Sequence, residues 1–183
     1  MILYVIIAAA VVLLDQVSKY LAVLCLKPIP TFTVIEKVLN FTYVENRGAA
    51  FGMLSEHRWV FMTVSAVVIV ALTAAVVWQK PKDKLTLIAL GMIVGGGIGN
   101  MIDRVALGYV VDFIDVRFID FYVFNIADSF VCIGCGLMVI ALMIDEVRET
   151  KAKKAAANAA AVSDEKANEA DTSDGDSDGR DHI

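Results

Sequence analysis

A polytopic α-helical membrane protein, with four transmembrane helices, a small extracytoplasmic β-sheet and a disordered C-terminal tail, is the fold class this sequence predicts. Three observations carry that expectation. The 183 residues are 58% hydrophobic with a mean hydropathy of +0.67, too apolar for an average soluble domain. Four apolar segments, residues 2–26, 59–78, 85–102 and 122–144, approach or exceed the roughly 20 residues needed to cross a bilayer. Polar residues concentrate between those segments and at the end of the chain.

The first segment is interrupted by Asp15 and Lys19, so it reads as a retained helix and no cleaved leader. Residues 27–57 contain TFTVI (31–35) and NFTYV (40–44), β-branched and aromatic runs bounded by polar residues, which predict a small extramembrane sheet. The second span is bracketed by Trp59 and Trp78, as the interfacial preference of indole favours. The linker QKPKDK follows with Lys80, Lys82 and Lys84, and Arg148, Lys151, Lys153 and Lys154 follow the fourth span. Both sets of cations argue for a cytoplasmic position, which puts both termini inside and residues 27–58 and 103–121 outside. A membrane unit over 1–150 and an acidic cytoplasmic tail over 151–183 complete the domain organisation; the tail has almost no large apolar residue and is expected to be disordered.

Charge excludes one class of partner. Residues 1–150 carry thirteen acids against eleven bases, which leaves no basic footprint for nucleic acid. Cys132 and Cys135 spell CIGC, but their apolar setting suits packed thiols better than a redox pair, and Cys25 sits in an apolar segment too. His57 and His182 are the only histidines, in an outer loop and the tail, so neither a metal cluster nor a serine triad is expected.

The intramembrane polar residues share one level. At about 1.5 Å of rise per residue, Asp15 lies roughly 20 Å from the inner end of span one and Lys19 one turn further. Asn100, Asp103 and Arg104 end span three, and Asp128 falls about 9 Å below a start at Tyr122. Gly96, Asn100 and Arg104 share one stripe, while Gly95, Gly99 and Asp103 form the next. Asp15 with Lys19 reads first as a structural ion pair, GGGIG as helix packing, and Asp115, Arg117 and Asp120 as solvated loop residues. Asp128 is different, because no basic residue lies within a turn of it in sequence and a lone intramembrane carboxylate is costly.

Two aspartates brought within a few ångströms share a proton, and such a pair can activate water while protonating a peptide carbonyl, with no metal or other cofactor. Asp128 is one member. Asp103 is followed by Arg104, which would hold it ionised; Asp112, in VVDF, can face Asp128 if that stretch folds back over the mouth of the helices. Asp112 is therefore preferred. A proton pathway would need polar residues on toward the other side, and the inner halves of spans two and four show almost none. A purely structural subunit leaves the cost of Asp128 unexplained.

DQVSK (15–19), NRGAAF (46–51), GGIGNMIDR (96–104), VVDF (110–113) and FNIAD (124–128), in this order on a four-span scaffold, resemble the lipoprotein signal peptidases, signal peptidase II. The resemblance implies an aspartic endopeptidase of the bacterial cytoplasmic membrane that removes signal peptides from prolipoproteins, cutting before a cysteine that carries diacylglycerol. It implies Asp112 and Asp128 as catalytic residues. Asn46, Gly48, Asn100, Arg104 and Asn125 would hold substrate and dyad, with Asp15, Lys19 and Asp103 in support. It further implies a β-cradle over the site, prolipoprotein and phospholipid as partners, a monomer, and an active site near the outer face.

Overall fold

The structure, a computed structural model, describes residues 1–29, 31–48, 58–119 and 121–174. Ala49, Ala50, Phe51, His57, Asp120 and residues 175–183, on which some of the expectations above fall, lie outside the described residues. In chain order the elements are α1 (Ile2–Leu26), β1 (Phe32–Ile35), β2 (Leu39–Asn46), α2 (Arg58–Gln79), α3 (Lys84–Ala106), β3 (Val110–Val116) and α4 (Ile126–Asp174). Four of these helices are long and apolar enough to cross a membrane.

Two compact units divide the chain, Met1–Val139 and Ile140–Ile183. The second is the later part of α4. There Asp145 pairs with Arg148 at 3.6 Å and Glu149 with Lys153 at 3.7 Å, one helical turn apart. The helix is described to Asp174, and its alanine, lysine and glutamate residues favour helix, with these pairs adding to it.

Within the first unit α3 is the hub: 56% of its span is buried inside the protein, against 6% for α2. Its glycines make this possible by admitting backbone on two sides. A Cβ at Gly95 would stand 2.8 Å from the carbonyl oxygen of Ala8 in α1, and one at Gly96 would stand 2.5 Å from that of Ala127 in α4. Both distances are shorter than packed atoms tolerate, so α1 and α4 approach α3 where side chains are missing. At its start α3 is capped by Asp83, whose Oδ2 accepts from the Thr86 backbone N–H at 2.8 Å and from its hydroxyl at 3.0 Å. Gly108, at φ 83°, turns the chain from the end of α3 into β3.

The three strands form an antiparallel sheet in the order β1-β2-β3. The two expected strands are present, and β3 is one the sequence reading did not foresee. Val111 and Phe113 of β3 pack with Ala22 and Leu26, so the sheet sits on the C-terminal end of α1. A register shift between Phe41 and Val44 of β2 resets the pairing with β3, bringing Val44 opposite Asp112. After β3 the chain turns back, and Phe124 exchanges backbone hydrogen bonds with Ile114 at 2.8 and 3.0 Å. This pairing keeps residues 122–125 out of the helix, so α4 begins at Ile126 and not at Tyr122.

Candidate active site

Asp112 comes from the middle of β3, Asp128 from the first turn of α4. Asp128 is thus about 3 Å of helical rise from the start of α4, at the helix mouth and shallower than a start at Tyr122 implies. The FNIAD spacing has a local cause. Asn125 is the N-cap of α4: its Oδ1 accepts from the Asp128 N–H at 2.9 Å, and the Asp128 Oδ2 accepts from the Asn125 N–H at 3.3 Å. This reciprocal box satisfies two otherwise orphaned helix donors and fixes the Asp128 side chain.

Amides hold the two carboxylates together. The fully buried Asn125 amide donates to Asp112 Oδ1 at 2.6 Å while its carbonyl oxygen and backbone N–H engage Asp128. Asn46, at the end of β2, donates to Asp112 Oδ2 at 2.8 Å, and Asn100 donates to Asp128 Oδ1 at 2.7 Å. Gly48 serves Asn46, its N–H reaching Asn46 Oδ1 at 3.0 Å and so setting which way that amide points. Asp112 is only 2% exposed. Burial pushes its carboxyl up from the usual 3.8 to about 6, the Asp128 charge adds to the rise, and the bonds from Asn46 and Asn125 oppose it.

Arg104 is half-buried and interacts electrostatically with Asp128, Asp112 and Asp103 in that order. Its guanidinium makes one long bond, 3.4 Å, to the Asn100 carbonyl in its own helix. The expectation that Arg104 holds Asp103 is therefore corrected. Neighbours in a helix point about 100° apart, and the ammonium that holds Asp103 is Lys19, at 3.0 Å.

Lys19 is 3% exposed and meets three acceptors: Asp15 Oδ2 at 2.9 Å, Asp103 Oδ2 at 3.0 Å and Asn100 Oδ1 at 2.9 Å. Both carboxylates reach further. Asp15 Oδ1 accepts from the Ala127 N–H at 3.0 Å, and Asp103 Oδ2 from the Val111 N–H at 3.0 Å. Asp15 with Lys19 is thus no isolated pair; it is joined to the start of α4 directly and to β3 through Asp103. Gln16, which the sequence reading passed over, donates to Asp15 Oδ2, the Gly99 carbonyl and Asp103 Oδ1 at 3.1 to 3.2 Å. Its position beside Asp15, at the same depth, was the available signal.

Two further expectations change. Asp115 is not a solvated loop residue: it is 4% exposed on β3, accepts from the Thr42 hydroxyl at 3.0 Å and pairs with Arg117 at 3.5 Å. Strand register, invisible in composition, puts it opposite Asn40. Cys25, Cys132 and Cys135 are free thiols on exposed helix faces rather than packed ones. Among the described residues no group of three or more His, Cys, Asp or Glu side chains is arranged to hold a metal ion.

Comparison with known proteins adds the lineage. The family model described as signal peptidase (SPase) II matches residues 7–144. A lipoprotein signal peptidase of Caldanaerobacter subterraneus subsp. tengcongensis is 50% identical over 134 residues, covering 73% of this chain and 91% of that protein. One of Brevibacillus brevis is 37% identical over 142 residues, covering 78% and 95%. A bacterial membrane enzyme solved by the in meso method at 2.3 Å resolution is 39% identical with a TM-score of 0.72, covering 78% of this chain and 88% of that one. A family match over residues 7–144, most of the chain, shows that this protein belongs to the signal peptidase II family.

Proposed function

We propose that this membrane peptidase is of the aspartic type, with Asp112 and Asp128 as its catalytic pair. Its substrate is a prolipoprotein whose cysteine carries diacylglycerol, and the bond cut is the one just before that cysteine. The observation that carries this reading is Asn125, a single residue bonded to both carboxylates. A neutral amide sets their relative position without neutralising either, which a general acid and a general base require.

The chemistry follows from two carboxylates that share one proton. The ionised member takes a proton from water as the oxygen attacks the scissile carbonyl carbon, and the protonated member donates to the carbonyl oxygen. Collapse of the tetrahedral intermediate returns a proton to the leaving nitrogen, and the pair regains its single proton. An Asp112 carboxyl raised to about 6 suits a group that must hold a proton near neutral pH. Arg104, with no ion pair shorter than 4 Å among the described residues, has donors left for a substrate carbonyl.

Lysines at 80, 82 and 84, and at 151, 153 and 154 beyond the apolar part of α4, favour cytoplasmic termini, which sets the catalytic pair near the outer face of the bacterial inner membrane. A lipid held in the outer leaflet then presents its cysteine at the level of Asp128. The working unit in this reading is a monomer.

The decisive measurement follows a diacylglyceryl-modified prolipoprotein by gel shift with purified protein. Asp112→Asn and Asp128→Asn should each abolish cleavage while leaving the protein inserted and folded. Near-normal turnover by either variant refutes the pair, and loss of wild-type activity in chelator refutes metal-free chemistry.

A further inference from the structure

The Lys19 cluster is a buried group of charges that the water-activation chemistry leaves without a task, and its connections are specific. An ammonium has three hydrogens. Those of Lys19 go to Asp15, Asp103 and Asn100, so its donor capacity is full. Each of these three acceptors is one step from the catalytic pair. Asp15 binds the N–H of Ala127, the residue before Asp128. Asp103 binds the N–H of Val111, the residue before Asp112. Asn100, its oxygen turned to Lys19 and to the Asn125 amide at 3.1 Å, is left with its NH₂ facing Asp128.

We propose that Lys19 is a positioning residue for the reaction: one ammonium in α1 sets the backbone of both catalytic aspartates through two carboxylate arms and fixes the orientation of the Asn100 amide through the third. This rests on the aspartic reading of Asp112 and Asp128. It gives the α1 pair a role in rate and not only in folding.

Three physical points support it. An amide can be turned end for end at little cost unless its two ends see different partners, and Lys19, with its full charge, is the stronger of the two donors that mark the oxygen end of Asn100, the Asn125 amide being the other. A backbone N–H pinned on the residue preceding each aspartate limits the two motions that would change the carboxylate separation, namely sliding of β3 and unwinding of the first turn of α4. Charge is the third point. The groups that face the pair are Asp15 and Lys19 from α1, Asp103 and Arg104 from α3, Asp112 from β3 and Asp128 from α4. Lys19 is one of only two cations among them, and its charge opposes the burial that pushes the Asp112 carboxyl up.

The test measures kcat, KM and the pH profile of kcat/KM on the diacylglyceryl-modified prolipoprotein for full-length wild type, Lys19→Met and Lys19→Met with Asp15→Asn, with Asp112→Asn as the inactive control. In Lys19→Met, kcat should fall about a hundredfold, as a displaced catalytic group does, with KM nearly unchanged. The alkaline limb of its profile, set by the proton on Asp112, should move up by about one pH unit, since a neighbouring positive charge is gone. The double variant has the net charge of wild type and keeps an acceptor for the Ala127 N–H. It should fold, recover the wild-type alkaline limb, and stay slow because the Asn100 arm is missing. Wild-type kcat in either variant overturns the proposal, as does a slow Lys19→Met whose profile has not moved; if that single variant does not fold, the double variant's kcat decides. Failure of wild type to cleave, or cleavage by Asp112→Asn, would instead count against the aspartic reading itself.

Discussion

Two pairs of aspartates lie side by side at the mouth of the bundle and are held in opposite ways. Asp15 and Asp103 each touch an ammonium, at 2.9 and 3.0 Å. Asp112 and Asp128 form no ion pair within 4 Å among the described residues and are held by the amides of Asn46, Asn100 and Asn125. An ammonium ties a carboxylate into an ion pair and compensates its charge; an amide fixes its place and leaves that charge uncompensated. The difference separates scaffold from reactive group within one cluster.

The largest effect should come from breaking the amide arrangement at Asn125. Asn125→Ala removes the link between the carboxylates and the helix cap together, and should lower kcat about a hundredfold or more with a loss of about 1 kcal/mol in stability. Asn125→Ser separates the two roles, because a serine hydroxyl caps a helix well but cannot reach Asp112 as a donor while it accepts from Asp128. Its unfolding midpoint in detergent should lie near that of wild type while its activity matches the alanine variant. A serine variant with wild-type activity would show that capping alone is the function of Asn125.

Next in size is the pH dependence that the uncompensated pair imposes on stability. Asp112 has a folded-state pKa of about 6 against 3.8 normally. The folded protein therefore binds this proton more tightly than the unfolded chain, so the contribution is complete below the unfolded value and is lost as pH rises through about 6. The rise corresponds to at most roughly 3 kcal/mol. Thermal unfolding of wild type and Asp112→Asn from pH 4 to 7.5 should show the advantage of wild type shrinking as pH rises; parallel curves would remove the argument.

The same contrast marks what sequence could disclose. Hydropathy is a local property, and the first span coincides with α1 to the residue. The glycines of α3 were readable as packing positions, but not that Gly95 meets α1 while Gly96 meets α4. Lys19 was readable as a partner for Asp15 four residues away, and not as a partner for Asp103, because that contact spans the bundle. Strand β3 went unseen because VVDFIDV sets acids among apolar residues, and Asp115 reads as a loop charge until pairing with β2 is known. Asp112 and Asp128 could be paired only by supposing that the chain folds back. What enforces that fold is the exchange between Phe124 and Ile114, two residues without a polar side chain.

A smaller effect distinguishes the close-packed side of α3 from its looser one. Gly96→Ala would drive a Cβ to 2.5 Å from the Ala127 carbonyl, beside Asp128, whereas Gly97→Ala would meet only side-chain carbons of Ile69 at 3.2 and 3.3 Å. Overpacking of the first kind costs about 1–3 kcal/mol. A side chain that can shift gives way at the second site, and alanine's better helix propensity offsets the contact. Gly96→Ala should lower both the unfolding midpoint and kcat, and Gly97→Ala neither. Equal effects would mean that the α3–α4 approach is not what sets Asp128.

The smallest effect is expected at Glu45, an acid held by cations, as Asp15 and Asp103 are, but in water. It accepts from Lys27 at 3.2 Å, Arg47 at 3.3 Å and the Tyr43 hydroxyl at 3.2 Å. Lys27 first and Arg47 next hold its carboxyl below the usual 4.5. For a lowered carboxyl the sign reverses: the contribution is present above the unfolded value and lost as pH falls through the folded one, opposite to Asp112. Solvent and salt screen these contacts, so the contribution is slight even where it is complete. Glu45→Gln should therefore leave cleavage within about twofold of wild type at physiological salt. If it instead lost activity as steeply as Lys19→Met, exposure would not be what separates the two ion clusters, and the sheet end near Asn46 would have to be counted with the catalytic frame.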